Sequence, residues 1–279
     1  MARAVQFRFL AGLEPANLID LPWSTPLEQW DHPSIVHRTR GQSRHVVRFV
    51  NDGSRTFALK EIAEAVALKE YRVLREIREE GLPVVEAVGV VTGREDPAGA
   101  PLEGVLVTRF LDYSLPFRYL FSIEEGEPLS SKLIDAAVVL LVRLHVEGFF
   151  WGDCSLSNLL FRRDAGALMA YLVDGETSER HRPVSDGLRE HELEIARENF
   201  AGGLLDLAAE GRLPGEVDIW HLVNLLSERY RLLWNELTGV TEIDARERHL
   251  IDHRIRRLND LGFDVDELVV ERDPSGDRL

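Results

Sequence analysis

Trp151-Gly152-Asp153-Cys154-Ser155-Leu156-Ser157-Asn158-Leu159-Leu160 places a carboxylate and a carboxamide five residues apart in a polar loop, just after a long apolar run and just before a short one. Phosphoryl transfer uses such a pairing: the carboxylate orients or deprotonates the attacking hydroxyl, and the amide oxygen beside it holds a magnesium ion. An Asx-rich turn satisfying its own backbone reads the same residues without chemistry, so the flanking sequence has to decide. Downstream, Tyr171-Leu172-Val173-Asp174-Gly175-Glu176 puts Asp174 at the end of an apolar strand, 21 residues after Asp153 with a hairpin-sized segment between. A carboxylate there can coordinate a metal bridging nucleotide phosphates, where the alternative is a plain Asp-Gly turn. Upstream, Phe57-Ala58-Leu59-Lys60 closes a strand. Only Lys60, Lys69 and Lys132 are lysines among 33 basic residues, so arginine serves wherever a cation alone is needed and a retained lysine points to a chemical requirement. Glu70 falls on the apolar stripe of the following helix, four after Val66 and three before Val73. A charge on that stripe needs a partner, and Lys60 is the candidate; Glu64 and Glu76 are the other acids that could pair with it.

The wider pattern is α+β in two parts. Residues 1–33 read as an irregular lead-in, with Pro15, Pro22, Pro26 and Pro33 interrupting any long element. Runs rich in Val, Ile, Phe and Thr predict strands at 34–39, 45–50, 55–62, 84–92 and 102–111, with turn signals at Gly41-Gln42-Ser43 and Asn51-Asp52-Gly53. A helix over 61–80, stopped at Gly81, is inserted after the third strand. Together these give a small antiparallel five-stranded sheet with one helix over 34–111. Residues 112–279 read as mainly helical: a helix over 131–147 capped by Ser130 or Ser131 and stopped at Gly148, short strands near 158–161 and 170–173, and three helices within 188–209, 216–237 and 245–261. The acidic helices after residue 184 read as solvated faces.

Composition excludes several classes. The net charge of −15 argues against a protein that binds nucleic acid by neutralising phosphates, although a few cations in a cleft can still hold a small anion. The longest apolar run, 136–150, carries Arg143, His145 and Glu147, so no membrane span is expected. The single cysteine, Cys154, fits a reducing, cytoplasmic setting.

In order, strand lysine, helix glutamate, Asp-x4-Asn loop and strand-end Asp-Gly resemble the protein-kinase-like superfamily over roughly residues 34–210. The Gly-Asp-x-Ser-x-x-Asn form is similar to lipopolysaccharide (Kdo) kinases and to aminoglycoside or choline phosphotransferases. The stretch Asp186–Arg197, and Arg256-Arg257-Leu258-Asn259-Asp260-Leu261-Gly262-Phe263-Asp264, resemble an actinobacterial Kdo-kinase-like branch. The resemblance implies a two-lobed fold, with an ATP-binding lobe at 34–111 and a helical lobe from 112 carrying the catalytic loop. It implies ATP and Mg2+ as cofactors and a small-molecule or glycan hydroxyl as acceptor, with no protein partner indicated. Asp153 would be the base, Asn158 and Asp174 the metal ligands, and Lys60 the phosphate clamp held by Glu70. Leu160 would line the adenine floor, and main-chain groups of Arg109 and Leu111, in the hinge Thr108-Arg109-Phe110-Leu111, would read the adenine edge. The pattern departs from the family in three places. Trp151 stands where most relatives have histidine, Ser155 stands where many protein kinases have lysine, and Gly41 is the only glycine of the phosphate-covering turn. Arg40 and Arg44 are cations that could replace the missing cradle, or solvated residues of a plain hairpin. A nucleotide-binding pseudokinase and an AMP transferase are the alternative functions on this fold.

Overall fold

The structure is a computed structural model, and it describes residues 5–10, 16–38, 44–121, 127–164, 167–213, 217–239, 242–243, 249–265, 271–273 and 276–278. The chain forms two compact units, Met1–Leu226 and Ser227–Leu279.

The first unit begins with strand β1 (Gln6–Phe9) and a short helix, α1 (Ala16–Ile19). Strands β2 (Ile35–Val36), β3 (Val46–Asn51) and β4 (Thr56–Ile62) lead into helix α2 (Glu64–Glu79), followed by β5 (Ala87–Thr92) and β6 (Gly104–Arg109). All are antiparallel neighbours in one six-stranded sheet of order β1-β5-β6-β4-β3-β2. The five expected strands are present, and the sixth comes from the lead-in. Its prolines break long elements but leave four residues free to pair with β5, from Gln6 opposite Thr92 to Phe9 opposite Gly89. Gly89 is required there, because a Cβ would sit 2.1 Å from the Phe9 ring.

Local chemistry sets the turns around the sheet. Between β3 and β4, Asp52 Oδ1 accepts from the amides of Ser54 and Arg55 at 2.8 and 2.7 Å, and Asn51 Oδ1 accepts from the amide of Gly53, whose φ is +102°. At the end of α2, Gly81 adopts φ +73° while Leu82 N–H donates back to Ile77 O, a Schellman closure. Strand alternation then assigns the two faces of the sheet. On β4, Lys60 reaches toward α2, where its ammonium meets Glu70. Phe57 and Leu59 point the other way, into a cluster with Leu18, Leu21, Trp23, Leu27 and Trp30 from the lead-in.

After β6 come β7 (Leu115–Pro116), α3 (Phe117–Phe121) and the long α4 (Glu127–Val146). Helix α4 starts before the expected cap, so Ser130 and Ser131 lie inside it, and it stops as expected before Gly148 at φ +82°. Strand β8 (Phe149–Phe150), the hairpin β9 (Leu159–Asp164) with β10 (Ala167–Leu172), and β11 (Glu179–Arg180) follow. Strands β10, β9 and β7 form one small sheet, and β11 pairs with β8. Helix α5 (Asp186–Ala209) opens on Ser185, whose hydroxyl accepts from Leu188 N–H. Helix α6 (Ile219–Thr238) carries the chain on.

Within the second unit, β12 (Glu242–Ile243), α7 (His249–Asp260), β13 (Glu271–Asp273) and β14 (Gly276–Arg278) complete the chain, with the strands ordered β12-β14-β13. Arg257 pairs with the Glu236 carboxylate, and Asn259 closes the turn after α7 by bonding both the amide and the carbonyl of Val265. Among the described residues no helix is long and apolar enough to cross a membrane.

Candidate active site

Lys60 leaves β4 toward α2, where Glu70 is fully buried on the apolar stripe. Its ammonium lies 3.1 and 3.3 Å from the two Glu70 oxygens and 2.6 Å from Asp174 Oδ2. The pairing inferred from helical spacing is therefore present, and the strand-end aspartate joins it. Asp174 follows β10, which continues the hairpin begun at the Asp153–Asn158 loop, and Val173 N–H donates to Asn158 O at 3.1 Å. Asn158 Nδ2 donates to Asp153 Oδ2 at 3.0 Å and to its main-chain carbonyl at 3.1 Å.

One ammonium faces two carboxylates, and the charges settle unequally. Burial works against ionised Asp174, yet the close Lys60 contact holds its pKa below the usual range. Burial pushes Glu70 up to about 8, and the Asp174 charge adds to the rise against the pull of Lys60. Burial also opposes the Lys60 charge, but Glu70 and Asp174 outweigh it and raise the lysine.

Carboxylate oxygens of Glu70, Asp174 and Glu176 come within 4.8 Å of one another, and Glu176 N–H donates to Asp174 Oδ1 at 3.1 Å. Hard oxygen donors of this kind, together with the Asn158 amide oxygen, suit magnesium. Leu160 is half-buried in β9, paired with Tyr171 and Pro116. In the hinge, the Arg109 amide donates to Glu86 O at 2.8 Å and is thus engaged within the sheet, and Leu111 O accepts from the Ser114 hydroxyl at 2.7 Å. Gly41 lies outside the described residues.

Three residues of the site escaped the sequence reading. Glu192, on an α5 expected to be a solvated acidic face, is fully buried. It accepts from the amides of Trp151 (2.9 Å) and Gly152 (2.6 Å), and its Oε2 lies 2.9 Å from Nε2 of the buried His145. Its signal was present: Glu192, Ala196, Phe200 and Leu204 fall on one helical stripe, the same spacing that exposed Glu70. Asn199 Nδ2, one turn before Gly203 on the same helix, donates to Asp153 Oδ1 at 2.9 Å and to Cys154 O at 3.3 Å. Nothing in the local sequence marked it. Glu176 gathers Arg44, His45 and Lys60 around one carboxylate.

Trp151 links these parts. Fully buried, it donates its indole N–H to Asp174 O at 3.0 Å, and its carbonyl accepts from the hydroxyls of Thr177 and Ser178 at 2.8 and 3.2 Å. The indole thus packs and hydrogen-bonds beside the Asp174 turn. Gly152 at φ +80° lets the chain turn from Trp151 to Asp153, where a Cβ would press on Thr177 at 3.1 Å.

Among solved structures, one described as WaaP in complex with acyl carrier protein aligns with a TM-score of 0.51 at 15% identity, covering 92% of this chain and 99% of that chain, a likeness of fold. The Rio2 kinase-ADP/Mg2+-phosphoaspartate complex from Chaetomium thermophilum aligns at 0.44 and 16% identity over 81% of this chain and 71% of that one. No curated protein sequence matches the chain. A domain family of unknown function, DUF4032, matches residues 232–279. The lipopolysaccharide kinase (Kdo/WaaP) family matches residues 36–203, more than half of the length, and the chain belongs to that family, with a protein-kinase-like fold.

Proposed function

We propose that this chain is an ATP- and Mg2+-dependent phosphotransferase acting on a hydroxyl of a small molecule or glycan. The sheet lobe, 34–111, would hold the nucleotide, and the helical part from 112 would present the acceptor. The observation that carries the reading is the convergence of Lys60, Glu70 and Asp174, from three separate elements, within hydrogen-bond reach of one ammonium. A buried carboxylate holding a lysine beside a strand-end aspartate is a costly arrangement for structure alone and is what nucleotide phosphates require.

In this reading Lys60 binds the α and β phosphates, positioned by Glu70. Asp174 and Asn158 would hold magnesium, which supplies charge neutralisation across the phosphates. Asp153 orients the acceptor hydroxyl and takes its proton. Asn158 and Asn199, each donating to a different Asp153 oxygen, fix the carboxylate plane while leaving each oxygen a further lone pair. Cys154, buried and free, has its thiol pushed up well out of the reactive range by burial, so it takes no part in the chemistry and suits a cytoplasmic setting. The support Trp151 gives to Asp174 favours a working site over a pseudokinase.

The test is ATP binding and turnover by the purified chain with and without magnesium, beside Asp174→Asn and Lys60→Ala. Magnesium-dependent binding and slow hydrolysis, both lost in the variants, are expected; no binding in any form would overturn the reading. The mass of the product distinguishes phosphoryl from AMP transfer.

A further inference from the structure

Gly41 is the only glycine in the sequence between β2 and β3, and the basic residues that follow it gather on Glu176. The residue lies two after Asp174. Its carboxylate is 2.9 Å from Arg44 Nη2, 3.2 Å from His45 Nε2 and 3.6 Å from Lys60 Nζ, while its carbonyl accepts from Lys69 Nζ at 3.1 Å. Arg44 and His45 enter β3 from the turn that would cover the phosphates, and Lys60 is the proposed clamp. His45 Nε2 also lies 3.2 Å from Arg44 Nε, so its ring turns from acceptor to donor with its tautomer. Arg44, just before β3, and Lys60, on β4, thus converge on one planar anion, in a chain whose net charge is −15. Arginine in that place suits a phosphate, since its fork donates to two oxygens at once.

We infer that Arg44 is a phosphate-binding residue replacing the glycine cradle, and that Glu176 is an internal anion that holds it until the nucleotide arrives. The inference rests on the kinase reading of the same site. The incoming polyphosphate takes over Arg44 and Lys60, and Glu176 is released toward the Asp174 turn. Affinity for the polyphosphate is therefore the difference between two anions competing for the same cations. Each would be worth about tenfold in binding, the scale of one partly exposed charge-assisted hydrogen bond.

The experiment measures binding of ATP, adenosine and inorganic tripolyphosphate in EDTA, where no metal role of Glu176 can contribute, with MgATP measured in parallel. Arg44→Ala, at a largely exposed side chain, is expected to weaken ATP and tripolyphosphate about tenfold and leave adenosine unchanged. Glu176→Gln is expected to tighten both polyphosphates by a similar factor, with a melting temperature near that of the wild type. If wild type binds and hydrolyses MgATP but Arg44→Ala keeps its preference for ATP over adenosine, or Glu176→Gln binds tripolyphosphate no better, this inference fails and the kinase reading stands. If wild type binds neither MgATP nor tripolyphosphate, both fall.

Discussion

At the scale of single residues, the site is a set of carboxylates whose environments have been made different. Asp174 owns the ammonium, Glu70 is buried beside it, and Asp153 is held by two amides with no cation bonded to it among the contacts described. Asn199 is the least expected of these partners, and its effect is separable from nucleotide binding because, among the described residues, its side-chain hydrogen bonds go to Asp153 and the adjacent carbonyl. Asn199→Leu keeps the volume and removes the donor. Turnover of MgATP should fall on the order of 10- to 100-fold, the usual cost of losing an orienting outer partner, while the MgATP dissociation constant stays within about twofold. Equal losses in both, measured by steady-state kinetics and direct binding, would remove Asn199 from the site. The contrast with Glu70 shows what a sequence can disclose. An acid on an apolar stripe announces itself by period, as Glu70 did and Glu192 could have done. An amide at the edge of a polar face, such as Asn199, carries no such mark, because its role exists only once α5 lies against the Asp153–Asn158 loop.

Among elements, the lead-in was the piece that local pattern misjudged. Four prolines in thirty-three residues describe a chain without long helices or strands, and that much holds among the described residues, but they say nothing of the face it covers. Trp23, Leu27 and Trp30 seal the side of the sheet away from Lys60. The fastening is a buried ion pair: Arg94, with no exposed side-chain surface, reaches Glu61 at 2.7 Å and the carbonyls of Trp23, Thr25 and Glu103 at 2.9, 2.6 and 2.8 Å. Glu61 in turn accepts from Leu27 N–H. Glu61 neighbours Lys60 on β4, so the two faces of one strand carry the fastening and the proposed phosphate clamp. Arg94→Met leaves Glu61 without its ion-pair partner and three carbonyls without a donor, and should cost about 3–5 kcal/mol. Adding Glu61→Gln should recover part of that loss in a double-mutant cycle read by chemical denaturation. A loss below about 1 kcal/mol for Arg94→Met would mean that the apolar cluster alone holds the lead-in. Among the strands and helices that pattern foretold, β3, β4 and α2 have ends written locally, at Asn51-Asp52-Gly53 and at Gly81. The start of α4 was misplaced because Ser130 and Ser131 looked like caps, although the helix begins a turn earlier.

For the whole molecule, the shared proton of the site becomes a property of folding. Glu70 has its pKa raised from 4.5 to about 8 by burial and by Asp174, so between those values the folded chain binds a proton that the unfolded chain has released. A group raised in this way contributes stability that is fully present below 4.5 and lost as pH rises through about 8. The other shifted carboxylates, Asp52, Asp164, Asp174 and Glu210, all move down from their ordinary values, so their contributions are lost only as the solution becomes more acid than those values. Lys60 moves up from 10.5 and keeps its contribution throughout the neutral range. In this group Glu70 alone titrates across the interval. With metal removed by EDTA, wild type should therefore lose stability relative to Glu70→Gln as pH rises from 5 to 8, with a limiting slope of about 1.4 kcal/mol per pH unit, one proton's worth. Urea denaturation at closely spaced pH values reads the difference directly. Parallel curves would show Glu70 ionised beside Lys60 throughout, a full salt bridge in which the lysine serves two carboxylates. Diverging curves would show that the folded chain keeps Glu70 neutral beside the Lys60–Asp174 pair until the solution nears pH 8.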